Sequence, residues 1–155
     1  NTIKAMMVTP VSLNQYVPYR VGTPIFISFA IVLGIILIFT QAMLEWWQIL
    51  IIVAGGSLNA PIVSLFYAGF AANKVQGFAY SKFVSLAGWI ILGGFFVPEP
   101  FQFLLGFFPP LWIAKSDWLA FDGNTLWVLT FVIGVVTQLG LIYWLVKRFN
   151  RMAYR

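Results

Sequence analysis

The stretch from Phe95 to Asn124, FFVPEPFQFLLGFFPPLWIAKSDWLAFDGN, decides the fold. It is rich in Phe, Leu and Trp, yet Pro98, Pro100, Pro109 and Pro110 cut it up. Its longest proline-free apolar run, Phe101 to Phe108, is far short of the roughly 20 residues that a spanning helix needs. The stretch also carries Glu99, Lys115, Asp117 and Asp122. It reads as a re-entrant hairpin over about residues 98–122, dipping into the membrane from one side and returning. Irregular backbone is tolerated at membrane depth only where it packs against protein or lines a water-filled cavity.

Four apolar runs flank the hairpin, at about residues 21–43, 47–70, 80–97 and 125–146. Each is read as a membrane span. The fold class expected is therefore all-α, a polytopic helical bundle of four spans with an extracytoplasmic re-entrant hairpin. The first span has Pro24 in its first turn, where a missing N–H costs least. Its Ala30 and Gly34 form a small-residue pair that lets another helix approach. Glu45-Trp46-Trp47 reads as an interfacial turn. The second span holds Gly55, Gly56, Ser57, Asn59 and Pro61, with Ser57, Pro61, Ser64 and Ala68 on one face. That face is either a close-packing stripe with a proline kink or a polar patch on a substrate path. Asn59 stands out, because a buried amide needs partners. Ala71 to Lys82 reads as a polar connector. Ser81, Ser85 and Gly88 give the third span a small-residue face. Asp122-Gly123-Asn124 is a turn signal, after which Thr125 can cap the fourth span. Thr130, Gly134 and Thr137 share one face of that span, with Gln138 beside them.

Composition agrees with a membrane protein. Of 155 residues, 61% are hydrophobic and only 8% charged, where a soluble domain is nearer a quarter charged. The net charge of +5 is an orientation signal and a contact with anionic lipid, not a nucleic-acid footprint. Eight of the nine basic residues lie in the N-terminal segment (Lys4, Arg20), the connector (Lys74, Lys82) and the tail over 147–155 (Lys147, Arg148, Arg151, Arg155). All four acids, with Lys115, fall on the opposite side. The positive-inside rule then places both termini of this chain in the cytoplasm of a multi-pass cell-membrane protein.

Much chemistry is excluded. With no Cys and no His, there is no disulfide, no thiolate or imidazole metal site and no base for a catalytic serine. No phosphate-binding loop of the GxxxxGK[ST] type occurs. No charge lies within a span, which disfavours ion-coupled transport. The chain is expected to need no metal or cofactor and to be no enzyme; energy for transport would come from a partner.

Residues 1–20, NTIKAMMVTPVSLNQYVPYR, are amphipathic. Thr2 to Val8 can form a short helix, Thr9-Pro10 breaks it, and Ser12 is a candidate N-cap. This segment is either an interfacial helix on lipid or a docking surface for a soluble partner. Asn1 is no initiator Met and no signal peptide precedes the first span, so the chain reads as part of a longer protein.

Three groups of residues carry a resemblance to a known family. They are Thr2 with Val8-Thr9-Pro10, Ser12 and Tyr16; Ala72-Asn73-Lys74-Val75-Gln76-Gly77 with Ser81-Lys82; and, in the hairpin, Phe101, Gln102, Gly106, Pro109, Pro110, Trp112, Lys115 and Trp118. The chain resembles an ABC-2-type permease, the membrane subunit of an ABC exporter, and within that family the fluoroquinolone-export group. Such permeases have six spans, so the resemblance implies that this chain holds spans three to six. A Glu of the family would lie before Asn1, and position 1 is Asn where Gly is usual.

The resemblance further implies a coupling segment that docks on a separate ATPase, here Lys4, Thr9, Pro10, Ser12 and Tyr16. It implies an outer gate in the hairpin, here Pro98, Pro100, Pro109, Pro110 and Trp112. Two permease halves, identical or paralogous, would meet around a central cavity lined by the span over about 80–97. Candidates for the substrate path are Ser57, Asn59, Ser85, Gly88 and Gln138. The cargo expected is amphipathic or apolar, possessing no charge partner in the spans. The alternative is a self-sufficient four-span carrier or a non-transporting membrane scaffold.

Overall fold

A segment shielded from water must satisfy every backbone N–H and C=O within the chain, and a helix does so residue by residue. The computed structural model describes residues 13–39, 44–71 and 73–153, and the regular structure among them is entirely helical. The elements are α1 (Leu13–Phe39), α2 (Trp46–Ser57), α3 (Asn59–Phe70), α4 (Lys74–Phe96), a 3-10 helix (Phe101–Phe107), α5 (Pro109–Phe121) and α6 (Trp127–Ala153). Four stretches are long and apolar enough to cross a membrane: Pro18–Ile38, Trp46–Phe70, Lys74–Phe96 and Trp127–Arg151. The protein is an all-α membrane bundle.

Several boundaries differ from those read in the sequence. Helix α1 begins at Leu13, so Pro24 lies well inside it and not in its first turn. Prolines are accommodated in membrane helices because neighbouring groups satisfy the freed carbonyls. The second span, Trp46–Phe70, is interrupted at Leu58, which separates α2 from α3. Pro61 cannot donate to the carbonyl of Ser57, four residues back. The Ser57 hydroxyl meanwhile donates to Ala54 O at 2.7 Å. Most of the expected connector is helical, because Asn73 caps α4 through Oδ1, which accepts from Gln76 N at 2.8 Å. Thr125 does not begin α6; the carbonyl of Asn124 accepts from Trp127 N instead. Residues 147–153 of the expected tail continue α6. The helix expected over 2–8, the cap at Ser12 and residues 40–43 of the first span lie outside the described residues.

Helix α6 organises the interior. Trp127, Thr130, Gly134, Gln138, Ile142, Leu145 and Phe149 are buried at steps of three or four, one continuous stripe of a helix. Its two most extensive partners are α5 and α3, while α1 lies across α2 and α3. Two apolar clusters result. One gathers Ile52, Ile113, Ala120 and Trp127; the other gathers Leu65, Ile142 and Leu145. Along α6, Gln138 falls between them.

Candidate functional site

The hairpin is more regular than its prolines suggest. Pro109 and Pro110 occupy the first two positions of α5, where absent N–H groups leave no bond unmade. At about 1.5 Å per residue, the 13 residues of α5 rise only about 20 Å, short of the roughly 30 Å of a bilayer core. Helix α5 then ends in a left-handed glycine cap. Gly123 has φ +68°, Gly123 N donates to Ala120 O, and Asn124 N donates to Leu119 O, the Schellman arrangement.

Trp112 and Lys115 of α5 tie the two limbs together, and Gln102 braces the first limb internally. Trp112 Nε1 donates to Gly106 O at 2.8 Å, and Gln102 Nε2 donates to Val97 O at 2.9 Å. Lys115 Nζ pairs with Glu99 Oε1 at 2.8 Å and sits 4.6 Å from the Phe103 ring centre. Phe95 of α4 meets Trp118 of α5 edge to face at 5.2 Å, so the last turn of α4 lies beside the second half of α5. Pro98 and Pro100 lie in the link from α4, outside any regular helix, and Trp112 bridges the limbs.

The tip of the hairpin helps to wall two adjoining cavities. The larger, about 520 Å³, is bounded by α3, α4, α6 and the Phe107–Pro110 corner. Its lining is apolar and aromatic, with Phe66, Phe83, Phe107 and Trp144 among it. The smaller, about 210 Å³, is touched by all six α-helices. Three polar side chains reach it, Asn59 from α3, Asp117 from α5 and Gln138 from α6. Asn59, Ile91 and Pro110 line both cavities.

The five substrate-path candidates are thus distributed unevenly. Asn59 lines both cavities, Gln138 the smaller and Gly88 the larger. Ser57 is buried but its hydroxyl is occupied by Ala54 O. Ser85 is exposed and donates to Ser81 O at 2.9 Å. Of the five coupling candidates, Lys4, Thr9, Pro10 and Ser12 lie outside the described residues, and Tyr16 lies in the first turns of α1.

Asp117 was missed by the sequence reading, which grouped it with the interfacial acids. The signal was present: Pro110, Ile113, Ala114 and Asp117 fall on one helical stripe, and that stripe faces the bundle. The spans themselves hold no charge at this depth, but the hairpin carries one in. Burial pushes the Asp117 carboxyl above the usual carboxylate range, because desolvation disfavours the charged form.

Among the described residues no group of three His, Cys, Asp or Glu side chains could hold a metal ion. The arrangement is suited to holding a molecule between helices, with apolar contact in one cavity and polar contact in the next.

Comparison with known proteins places this architecture. The Rv2686c-like family, described as fluoroquinolones export permease protein Rv2686c-like, matches residues 1–146. The chain belongs to that family. Two relatives from Mycobacterium tuberculosis are the fluoroquinolones export permease proteins MT2760 (strain CDC 1551 / Oshkosh) and Rv2686c (strain ATCC 25618 / H37Rv). Each is 30% identical over 156 residues, covering 96% of this chain and 60% of its own length. The chain thus spans about three fifths of the relatives it matches. No solved structure matches it. Membership agrees with the ABC-2-type resemblance carried by the hairpin and connector motifs.

Proposed function

We propose that the chain is the membrane permease of an ABC-type exporter, moving an amphipathic or apolar small molecule, a drug among them, with energy from a separate ATPase subunit. The observation that carries this reading is the aromatic-lined cavity of about 520 Å³ between the spans, in a chain whose family is one of export permeases. A cavity of that size suits a drug-sized ligand. The sequence offers no phosphate loop, so hydrolysis belongs to a partner. Helices α1 and α4 leave Ile31, Ile38, Phe78 and Trp89 more than half exposed. Such faces suit lipid and further helices, a second permease half included.

In this reading both termini of the chain are cytoplasmic, on the basic end of the bundle. The segment with Lys4, Thr9, Pro10, Ser12 and Tyr16 docks on the ATPase and feeds α1. The hairpin, with Pro98, Pro100, Pro109, Pro110 and Trp112, gates the opposite face. A partner's nucleotide state would bias that gate as an ordinary two-state coupling.

Photo-crosslinking from Ser12 in native membranes, with mass spectrometry of the captured species, tests this. Capture of a phosphate-loop ATPase is expected. Lipid alone, with the full-length protein present, would overturn the docking role and favour a self-sufficient four-span carrier or scaffold.

A further inference from the structure

The smaller cavity is not built as apolar packing would build it. Gln138 is fully buried, and neither its Oε1 nor its Nε2 has a hydrogen-bond partner. A buried amide left so is costly unless something else uses it. Asp117 reaches the same cavity from α5, and no hydrogen bond or ion pair holds its carboxylate among the described residues. An ionised carboxylate can only accept hydrogen bonds. The basic residue nearest in sequence, Lys115, is already engaged by Glu99 and the Phe103 ring. The cavity therefore presents one uncompensated acidic group and two amides, Asn59 and Gln138.

Next to it, across Asn59, Ile91 and Pro110, lies the larger aromatic chamber. A ligand filling both would need two unlike ends. Its body must be apolar and is best flat, to lie among Phe66, Phe83, Phe107 and Trp144. Its head must donate hydrogen bonds and carry positive charge, since a carboxylate in a desolvated site repels anions and pairs best with an ammonium. A bare metal ion would want several oxygen ligands and would gain nothing from the aromatic chamber.

We propose that the two cavities form one site for an amphipathic aromatic amine, its body in the aromatic chamber and its ammonium on Asp117, oriented by Asn59 and Gln138. This deepens the export reading by naming a class of cargo and rests on it only for the word cargo. Binding itself requires neither ATPase nor nucleotide.

The test uses the full protein in phosphatidylcholine nanodiscs, whose neutral lipid does not attract amines. The probe is dansylcadaverine, a naphthalene fluorophore carrying a primary amine on an alkyl tether, compared with its N-acetyl derivative. Empty nanodiscs supply the partition background. The expected result is a preference of about tenfold for the amine over the acetyl form, the order of a charge-assisted contact. Asp117→Asn should abolish that preference by weakening the amine alone. Gln138→Leu should weaken both probes and raise the midpoint of thermal unfolding, because it removes an unpaired buried amide. Equal affinity of the native protein for the two probes overturns the proposal, as does a signal no greater than in empty nanodiscs. The first of these readouts needs no variant, so a poorly folding Asp117→Asn does not shelter the idea. Failure here would leave ATPase capture from Ser12 untouched, and the reverse also holds.

Discussion

Ile113 is the residue on which the bundle closes. It projects from α5 between two glycines of different helices, Gly55 on α2 and Gly134 on α6. A Cβ added at Gly134 would come within 2.7 Å of Ile113 Cδ1 and 3.1 Å of Trp112 Cβ; one at Gly55 would come within 2.5 Å of a Phe131 ring carbon. Small residues at such crossings let backbones approach closely. Gly134→Ala should therefore cost about 1–3 kcal/mol by overpacking, despite its better helix propensity. Ile113→Val in the same chain should restore part of the loss, since it removes the clashing Cδ1. Thermal unfolding of the two single variants and the double variant measures this as a cycle. Asp117 gives a second expectation, in pH. Its native carboxyl titrates above the 3.8 of the free group, so the ionised form is disfavoured in the folded protein. Above pH 3.8 the unfolded chain ionises first, and native stability falls until the raised native value is passed. Asp117→Asn should match the native protein's midpoint at acid pH and exceed it increasingly as pH rises. A gap that is constant with pH would show that burial of this carboxyl carries no such cost.

At the scale of elements, the hairpin's two limbs are tied to each other through Trp112 and Lys115, while α5 packs most extensively on α6. The Trp112 Nε1 bond to Gly106 O is also a steric fit: a Cβ at Gly106 would lie 2.8 Å from the Trp112 ring. Trp112→Phe keeps an aromatic ring but loses the donor. It should cost about 1 kcal/mol and speed hydrogen exchange over residues 101–107, leaving α6 protected. Uniformly faster exchange would mean that the hairpin and the bundle open as one unit. How far these elements could be read in the sequence follows the physics of each. The four long helices were legible because about 20 apolar residues in a row have few other uses. The helix starts were not, because Asn73 and Asn124 are polar residues whose role as caps depends on local backbone geometry. The hairpin's prolines suggested irregular backbone; instead, two of them begin α5, where a proline suits a helix best. Among cavity-lining residues, polarity drew attention to Asn59 and Gln138 within apolar runs. It could not do so for Asp117, which lies where acids are ordinary, at the end of a hairpin whose depth is set by tertiary packing.

For the whole molecule the question is whether the larger cavity is a path or merely loose packing. Gly88 separates the two. It lines that cavity from α4, and a Cβ there would meet nothing within 4 Å. Gly88→Leu therefore puts apolar bulk into the space from an unobstructed Cβ. It also replaces glycine in a helix interior, worth up to about 1 kcal/mol in helix propensity. If the cavity is only a packing defect, filling it with apolar side chain should stabilise the protein and leave transport unchanged. If cargo passes through it, the variant should insert and fold at least as well as the native protein, while export of an aromatic substrate from whole cells falls severalfold. Membrane abundance and thermal midpoint, read beside export, keep the outcomes apart. A fall in export with normal abundance assigns the cavity to the path. Unchanged export with a raised midpoint removes the cavity from the mechanism and moves the search for the path to the exposed faces of α1 and α4, where further helices would have to complete it.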